Sequence, residues 1–223
     1  MQTSASAPCV IFDLDGTLVE TEQVWRDVRR DFVRTHGGRW NDAAAAAMIG
    51  MRTNEWARYI HEDLGVAVDA SEIAGEVLPG VIARLRNVPI LPGASEALVR
   101  LGRTFRLGLA TSAALPVANA ILAQTGWRER FAVVVSADEV SRGKPAPDVY
   151  LRALELLDVA PDRAAAVEDS ANGIRSAYNA GLRVIAVPNR EFAPDAEALS
   201  LAARTITTLR TLDASLVRAV LGL

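Results

Sequence analysis

Short, nearly continuous apolar runs recur along the chain, with longer stretches of helical periodicity between them. Val10-Ile11-Phe12 is the first, followed by Phe105 to Ala110, Phe131 to Val135, Ala164 to Val167 and Arg183 to Val187. A strand with one solvated face alternates polar and apolar residues, so runs without that alternation predict a parallel sheet covered on both faces. Helical patterns over Ala94 to Leu101, Pro116 to Thr125, Pro147 to Leu157 and Ile174 to Ala180 separate the runs, and Asp162, Gly173 and Gly181 punctuate their ends or turns. Pro188 and Pro194 predict a break after the last strand. Strand alternating with helix implies the α/β class: a Rossmann-like, mostly parallel sheet flanked by helices. Ligands of such sheets bind beyond the carboxyl ends of the strands.

One interval breaks the rhythm. From Glu20 to Asn87 the pattern is helical, includes the helix-forming run Ala43 to Ala47, and contains no comparable strand. It predicts a helical cap, residues 20–87, inserted into a discontinuous core of residues 1–19 and 88–223, with hinges near Val19 to Thr21 and Asn87 to Pro92. Closing such a cap over the sheet edge excludes water from a site there. Trp25, Trp40 and Trp56 lie in the interval. Packing within a small helical unit accounts for them, and Trp25 and Trp56 are also candidates to line a substrate pocket.

Chemistry-bearing residues follow four of the apolar runs. Asp13 and Asp15 come directly after Val10-Ile11-Phe12, and Gly16 permits a tight turn that faces both carboxylates into one cleft. Two close carboxylates repel each other, which makes a divalent cation their natural partner, and one of them can attack phosphorus as a nucleophile. Thr111-Ser112 follows the second run and precedes a helix, where hydroxyls and backbone N–H groups cradle phosphate or simply cap the helix. Glu168-Asp169 follows the fourth, where acidic oxygens suit magnesium or the start of the next helix. Lys144 sits after the third run, between Gly143 and Pro145. Of the 24 basic residues it is the only lysine, so this position stands out as one that takes a compact ammonium rather than a forked guanidinium. Each signal has an ordinary structural explanation, but four strand ends bearing acids, hydroxyls and a cation converge on one site.

Composition narrows the class. Half the residues are apolar and the formal net charge is only -3, against both disorder and nucleic-acid binding. No apolar stretch is long enough to cross a bilayer. Residues 1–8, MQTSASAP, lack the basic start and apolar stretch of a secretory signal. Cys9 is the lone cysteine and reads as a buried thiol in a reducing, cytoplasmic compartment. His36 and His61 have no Cys/His companions to form a metal site, and Ser112 and Ser170 lack the relay of a serine hydrolase.

The string FDLDGTLVETE, then LATSA, GKPAPDVY and AVEDSANGI, resembles the four-motif pattern of the haloacid dehalogenase-like superfamily, in particular its helical-cap phosphatases and β-phosphoglucomutase-like enzymes. The resemblance spans Val10 to about Pro188. It implies that Asp13 forms an aspartyl-phosphate, that Asp15 protonates the leaving alcohol and then activates water, and that Thr111, Ser112 and Lys144 hold the phosphoryl group. It also implies Mg²⁺ on Asp13, the backbone carbonyl of Asp15, Asp169 and Glu168, the last directly or through water. Dehalogenation is disfavoured, since a departing halide needs no proton from Asp15. Trp25 stands where the mutase pattern has His and Ala114 where it has Lys, which favours hydrolysis over a phosphosugar mutase. A noncatalytic regulator of this fold would be expected to lack Asp13, Asp15 or the later acid pair, and none is missing. At the start of the cap, Glu20-Thr21 replaces the usual Asp-Ser. Arg52, in IGMRTNEW, is similar to an arginine of hexitol and deoxyhexose phosphatases. Glu20, Trp25, Arg52 and Trp56 are thus specificity candidates. The expected substrate is a small phosphorylated metabolite, a sugar or polyol phosphate, with no nucleic acid, membrane or obligate protein partner.

Overall fold

In the computed structural model, which describes residues 7–189 and 193–223 and of Asp42 only the backbone, the apolar runs form one parallel sheet. Its strands are β1 (Cys9–Phe12), β2 (Arg106–Thr111), β3 (Val133–Ser136), β4 (Ala164–Glu168), β5 (Arg183–Ala186) and β6 (Arg204–Thr205), in the order β3-β2-β1-β4-β5-β6. Most of the N-terminal MQTSASAP segment lies outside the described residues.

Both faces are covered, which is why the runs do not alternate in polarity. Val10 and Phe12 of β1 join Leu107, Leu109, Ala165 and Val167 on one face. Here they meet α5 (Ala94–Gly102), α6 (Leu115–Thr125) and α10 (Ala214–Leu221). Cys9 and Ile11 point the other way, with Ala110, Ala164 and Ala166, toward α7 (Asp148–Leu157), α8 (Ala171–Asn179) and α9 (Ala196–Ser200). Each fully buried large apolar side chain contributes about 1.5–3 kcal/mol relative to exposure. The Cys9 thiol is part of this core, and burial pushes its pKa up to about 12.

Register places the candidate chemistry. Phe12 lies opposite Leu109 in β2 and Val167 in β4, so Asp13, Ala110-Thr111 and Glu168 emerge at the same edge. Asp13 continues the ladder by donating its N–H to Val167 O at 3.0 Å.

Between β1 and β2 the chain forms α1 (Glu22–Thr35), α2 (Asp42–Ala47), α3 (Thr53–Glu62) and α4 (Ala70–Arg84). Trp25, Val28, Phe32 and Val33 form the buried face of α1, and α1 and α3 both pack on α4. The segments entering and leaving this stretch are tied together: Val19 bridges Ile90 antiparallel, Glu20 N–H donates to Pro89 O at 2.8 Å, and Leu91 N–H to Leu18 O at 3.0 Å.

Two features depart from the periodicity. Helix α8 starts at Ala171 rather than Ile174, because Ser170 caps it by accepting from Gly173 N–H at 3.1 Å. Regular structure resumes beyond Pro194 as α9, β6 and α10; β6 is only two exposed residues and offers no apolar pattern to read.

Gly93 starts α5 at φ +91, and a Cβ there would sit 2.5 Å from Arg210 N. Gly93→Ala should therefore lower unfolding free energy by about 1–3 kcal/mol, read from the urea midpoint at constant m. An unshifted midpoint would mean that this close approach carries no such constraint.

Candidate active site

The turn after β1 brings Asp13 and Asp15 to the sheet edge. Gly16 adopts φ +81, with its N–H donating to Val19 O at 2.8 Å. Any side chain there would collide with Asp169, whose Oδ2 lies 2.1 Å from where a Cβ would be. The glycine is needed both for the turn and for the approach of the second acidic loop.

Lys144 reaches into the edge from the loop before α7. Its ammonium donates to Asp13 Oδ1 and Glu168 Oε1, each at 2.6 Å, and to Ala110 O at 3.2 Å. Tyr150 OH donates to the same Glu168 oxygen at 2.7 Å. Glu168 Oε2 accepts Asp169 N–H at 3.2 Å, and Asp169 Oδ1 accepts the Thr17 hydroxyl at 3.3 Å. Gly173 lets α8 approach this centre, since a Cβ there would lie 1.9 Å from Glu168 Oε2.

Asp15 is held apart from that cluster. Its Oδ1 accepts the Thr21 hydroxyl and its Oδ2 the Thr111 hydroxyl at 3.4 Å. Thr111 Oγ1 in turn accepts Ala113 N–H at 3.0 Å, shaping the turn after β2. The Ser112 hydroxyl is buried and has no hydrogen-bond partner among the described residues. Asp13, Asp15, Ser112, Lys144 and Asp169 all line one cleft, together with Trp25 and Met48 to Met51 of the inserted stretch.

Charge at this edge is unbalanced. One carboxylate oxygen each from Asp13, Glu168 and Asp169 lies within 4.8 Å of the others, and all three residues are buried. One ammonium offsets only part of that charge. The Asp13 carboxyl is raised to about 8, chiefly by burial, with Lys144 pulling against the rise and Glu168 and Asp15 adding to it. Asp169 is raised well above the usual carboxylate range by burial, then by Asp13 and Glu168. Burial also raises Asp15, against hydrogen bonds from Thr21, Trp25 and Thr111. For Lys144, burial favours the neutral amine, but the charges of Asp13 and Glu168 outweigh it and hold the pKa above the ordinary lysine range. An oxygen-rich, over-negative centre fits a hard divalent cation such as Mg²⁺.

The haloacid dehalogenase-like hydrolase family profile matches residues 10–187. The chain belongs to this family. It is 35% identical over 184 residues to the bifunctional riboflavin kinase/FMN phosphatase of Arabidopsis thaliana; the match covers 81% of this chain but only 48% of that longer protein. With the fructose-1-phosphate phosphatase YqaB of Escherichia coli (strain K12) it shares 32% identity over 179 residues, 80% of this chain and 95% of the relative. The crystal structure of CbbY from Rhodobacter sphaeroides in complex with phosphate superposes with TM-score 0.84 at 31% identity, covering 97% of this chain and 100% of that one. The chain is thus an enzyme of this hydrolase family, and no helix among its described residues is long and apolar enough to cross a membrane.

The four motif loops of this family member converge as their order implies, but the specificity candidates do not stay together. Trp25 lines the cleft. Trp56 is buried behind it, with ring centroids 6.1 Å apart. Glu20 faces another cleft, with Thr17, Pro92 and Arg210. Arg52 lies outside the lining: Nε pairs with Glu55 at 3.1 Å, and Nη1 donates to Val140 O at 3.1 Å and Ser141 O at 2.8 Å. Sequence reasoning passed over Tyr150 and Arg29. Tyr150 belongs to the GKPAPDVY string, and Arg29 follows Trp25 by one helical turn; neither position is distinctive until the partners are folded against it.

Asp13 carries a pKa of about 8 against its ordinary 3.8, and Asp169 moves the same way. The metal-free fold therefore holds protons that the unfolded chain releases. The contribution of these groups to stability is fully present below the ordinary carboxylate pKa and is lost as pH rises through about 8. In EDTA, Tm should fall between about pH 5 and about pH 8.5, and Mg²⁺ should restore more at the upper end. A Tm that is flat or rising in EDTA would contradict the charge imbalance.

Proposed function

We propose that this protein is a Mg²⁺-dependent phosphatase that hydrolyses the phosphate monoester of a small sugar or polyol through an aspartyl-phosphate on Asp13. One observation carries the reading: two acids, an ammonium and an unpartnered buried hydroxyl, from Asp13, Asp169, Lys144 and Ser112, share one cleft. The name of the fructose-1-phosphate phosphatase relative supports a sugar phosphate.

In this reading an Asp13 oxygen attacks phosphorus in line with the ester oxygen. The P–O bond to the alcohol breaks as the new P–O bond forms, and Asp15, whose pKa burial raises, gives its proton to the departing alkoxide. Asp15 then accepts a proton from water, which attacks the same phosphorus and displaces the Asp13 carboxylate, releasing inorganic phosphate. Lys144 holds phosphoryl charge and keeps Asp13 aimed. Thr111 positions Asp15 and the turn that presents Ser112 to the phosphoryl oxygens. Asp13, Asp169, Glu168 and the Asp15 backbone carbonyl would hold Mg²⁺, which supplies the charge compensation that lets an anionic nucleophile meet an anionic ester.

Residues 20–87 act here as a cap over the core of residues 1–19 and 88–223. Arg52 and Thr53 clasp it to the loop after β3: beside the Arg52 bonds, Thr53 Oγ1 donates to Asp138 Oδ2 at 2.6 Å. Arg52→Ala should change kcat and KM together and lower kcat/KM about three- to tenfold, the worth of one or two exposed hydrogen bonds. Unchanged kinetics would remove the clasp from the catalytic cycle.

Phosphate release should require Mg²⁺ and rank sugar phosphates above nucleotide monophosphates by kcat/KM. Asp13→Asn should fold yet lose at least about a thousandfold in kcat. Normal turnover by that variant, with reversion to Asp excluded by mass, would refute the nucleophile. Isomer formation without phosphate release would make the enzyme a mutase.

A further inference from the structure

Arg29 follows Trp25 by four residues on α1, so both side chains leave the same face of the helix. Its guanidinium carbon lies 4.4 Å from the centre of the Trp25 ring and 4.9 Å from that of Trp56. The residue is only 7% exposed, and its Nε has no hydrogen-bond partner among the described residues. It nevertheless lines the cleft that contains Asp13, Lys144 and Ser112.

This is an unusual place for a guanidinium. Arginine does not escape burial by losing its proton, so a buried one needs hydrogen-bond acceptors. The tryptophan faces stabilise positive charge but do not accept the N–H groups in the guanidinium plane. Charge alone reaches it from Glu22 and Asp15; burial still pulls its pKa down to about 10. What remains is a planar donor fork, held against two rings that also touch each other, and lining a cleft where an ester's organic portion would sit. Such a fork matches a phosphate or carboxylate better than a sugar hydroxyl.

Building on the phosphatase reading, we propose that Arg29 binds a second anionic group on the substrate, so that the preferred esters are those of anionic alcohols: sugar bisphosphates or phosphorylated sugar acids. Trp25 and Trp56 are positioning residues for that fork. The first phosphate meets Lys144 and Ser112, and the distal anion meets Arg29. Neutral polyol phosphates fill only the first half of the site.

Two matched pairs of probes isolate the second anion: fructose 1,6-bisphosphate against fructose 1-phosphate, and 3-phosphoglycerate against glycerol 3-phosphate. Binding is measured calorimetrically with Mg²⁺ to Asp13→Asn protein, with and without Arg29→Met. At least one anion-bearing probe should bind the parent about tenfold or more tightly than its neutral match, and Arg29→Met should erase that preference. The pair that responds identifies the distal group as phosphate or carboxylate. If Arg29→Met fails to fold, Arg29→Lys keeps the charge without the planar fork and should lose most of the preference. No preference in the parent, or one that survives both substitutions, overturns the proposal. Absence of phosphate release by the wild-type enzyme, with Arg29-dependent binding intact, would sink the phosphatase reading and leave this one standing. Turnover with no Arg29-dependent preference would do the reverse.

Discussion

Charge crowding at the carboxyl edge of the sheet organises this protein. Asp13, Glu168 and Asp169 are buried within a few ångströms of one another, and Lys144 is the only lysine in the sequence. The lysine bridges Asp13 and Glu168 at 2.6 Å each, which holds the first and last motif loops together. Breaking a buried pair leaves an uncompensated charge and is costly, whereas the net worth of the intact pair is modest. The cluster is therefore better understood as a device for chemistry than as a source of stability.

The surrounding fold is shaped to tolerate that crowding. Gly16 and Gly173 give up side chains so that the Asp169 and Glu168 carboxylates fit. Tyr150 donates a hydroxyl from α7 to Glu168, and Thr17 donates one to Asp169. These contacts come from elements far apart in sequence but adjacent in the β1-β2-β4 register. Meanwhile Asp15, bonded to Thr21 and Thr111 rather than to the lysine, sits in a different electrostatic environment from Asp13. Two carboxylates one residue apart are thereby given different hydrogen-bond partners.

The inserted helices contribute in a different way. Met48 to Met51 and Trp25 line the cleft, and Arg29 brings a second positive charge to a lining that also carries Asp13, Asp15, Glu22 and Asp169. Two positive charges in one cleft suit a ligand with two anions. The arginine bias of the chain, with Lys144 as the exception, fits this division: an ammonium where two carboxylates share a compact donor, a guanidinium where a planar fork packs against two rings.

Much of the architecture was legible in the chain because parallel strands and amphipathic helices write their burial into local periodicity. Five of the strands and the helices α5 to α7 fall close to where the pattern puts them, and the four chemistry-bearing loops follow their strands as the order implies. Strand β6 was invisible, since two exposed residues held only by backbone pairing leave no apolar signature. The residues of the stretch between β1 and β2 mark the other boundary. Arg52 had the charge and reach for a substrate, yet its Nε and Nη1 donate to Glu55 and to carbonyls some 88 residues away in sequence. Arg29 looked like any helical arginine until Trp25 and Trp56 closed around it. Local sequence determines which elements form and what chemistry they carry. Which donors are already satisfied and which still face the cleft depends on contacts between distant segments, so tertiary structure alone decided it.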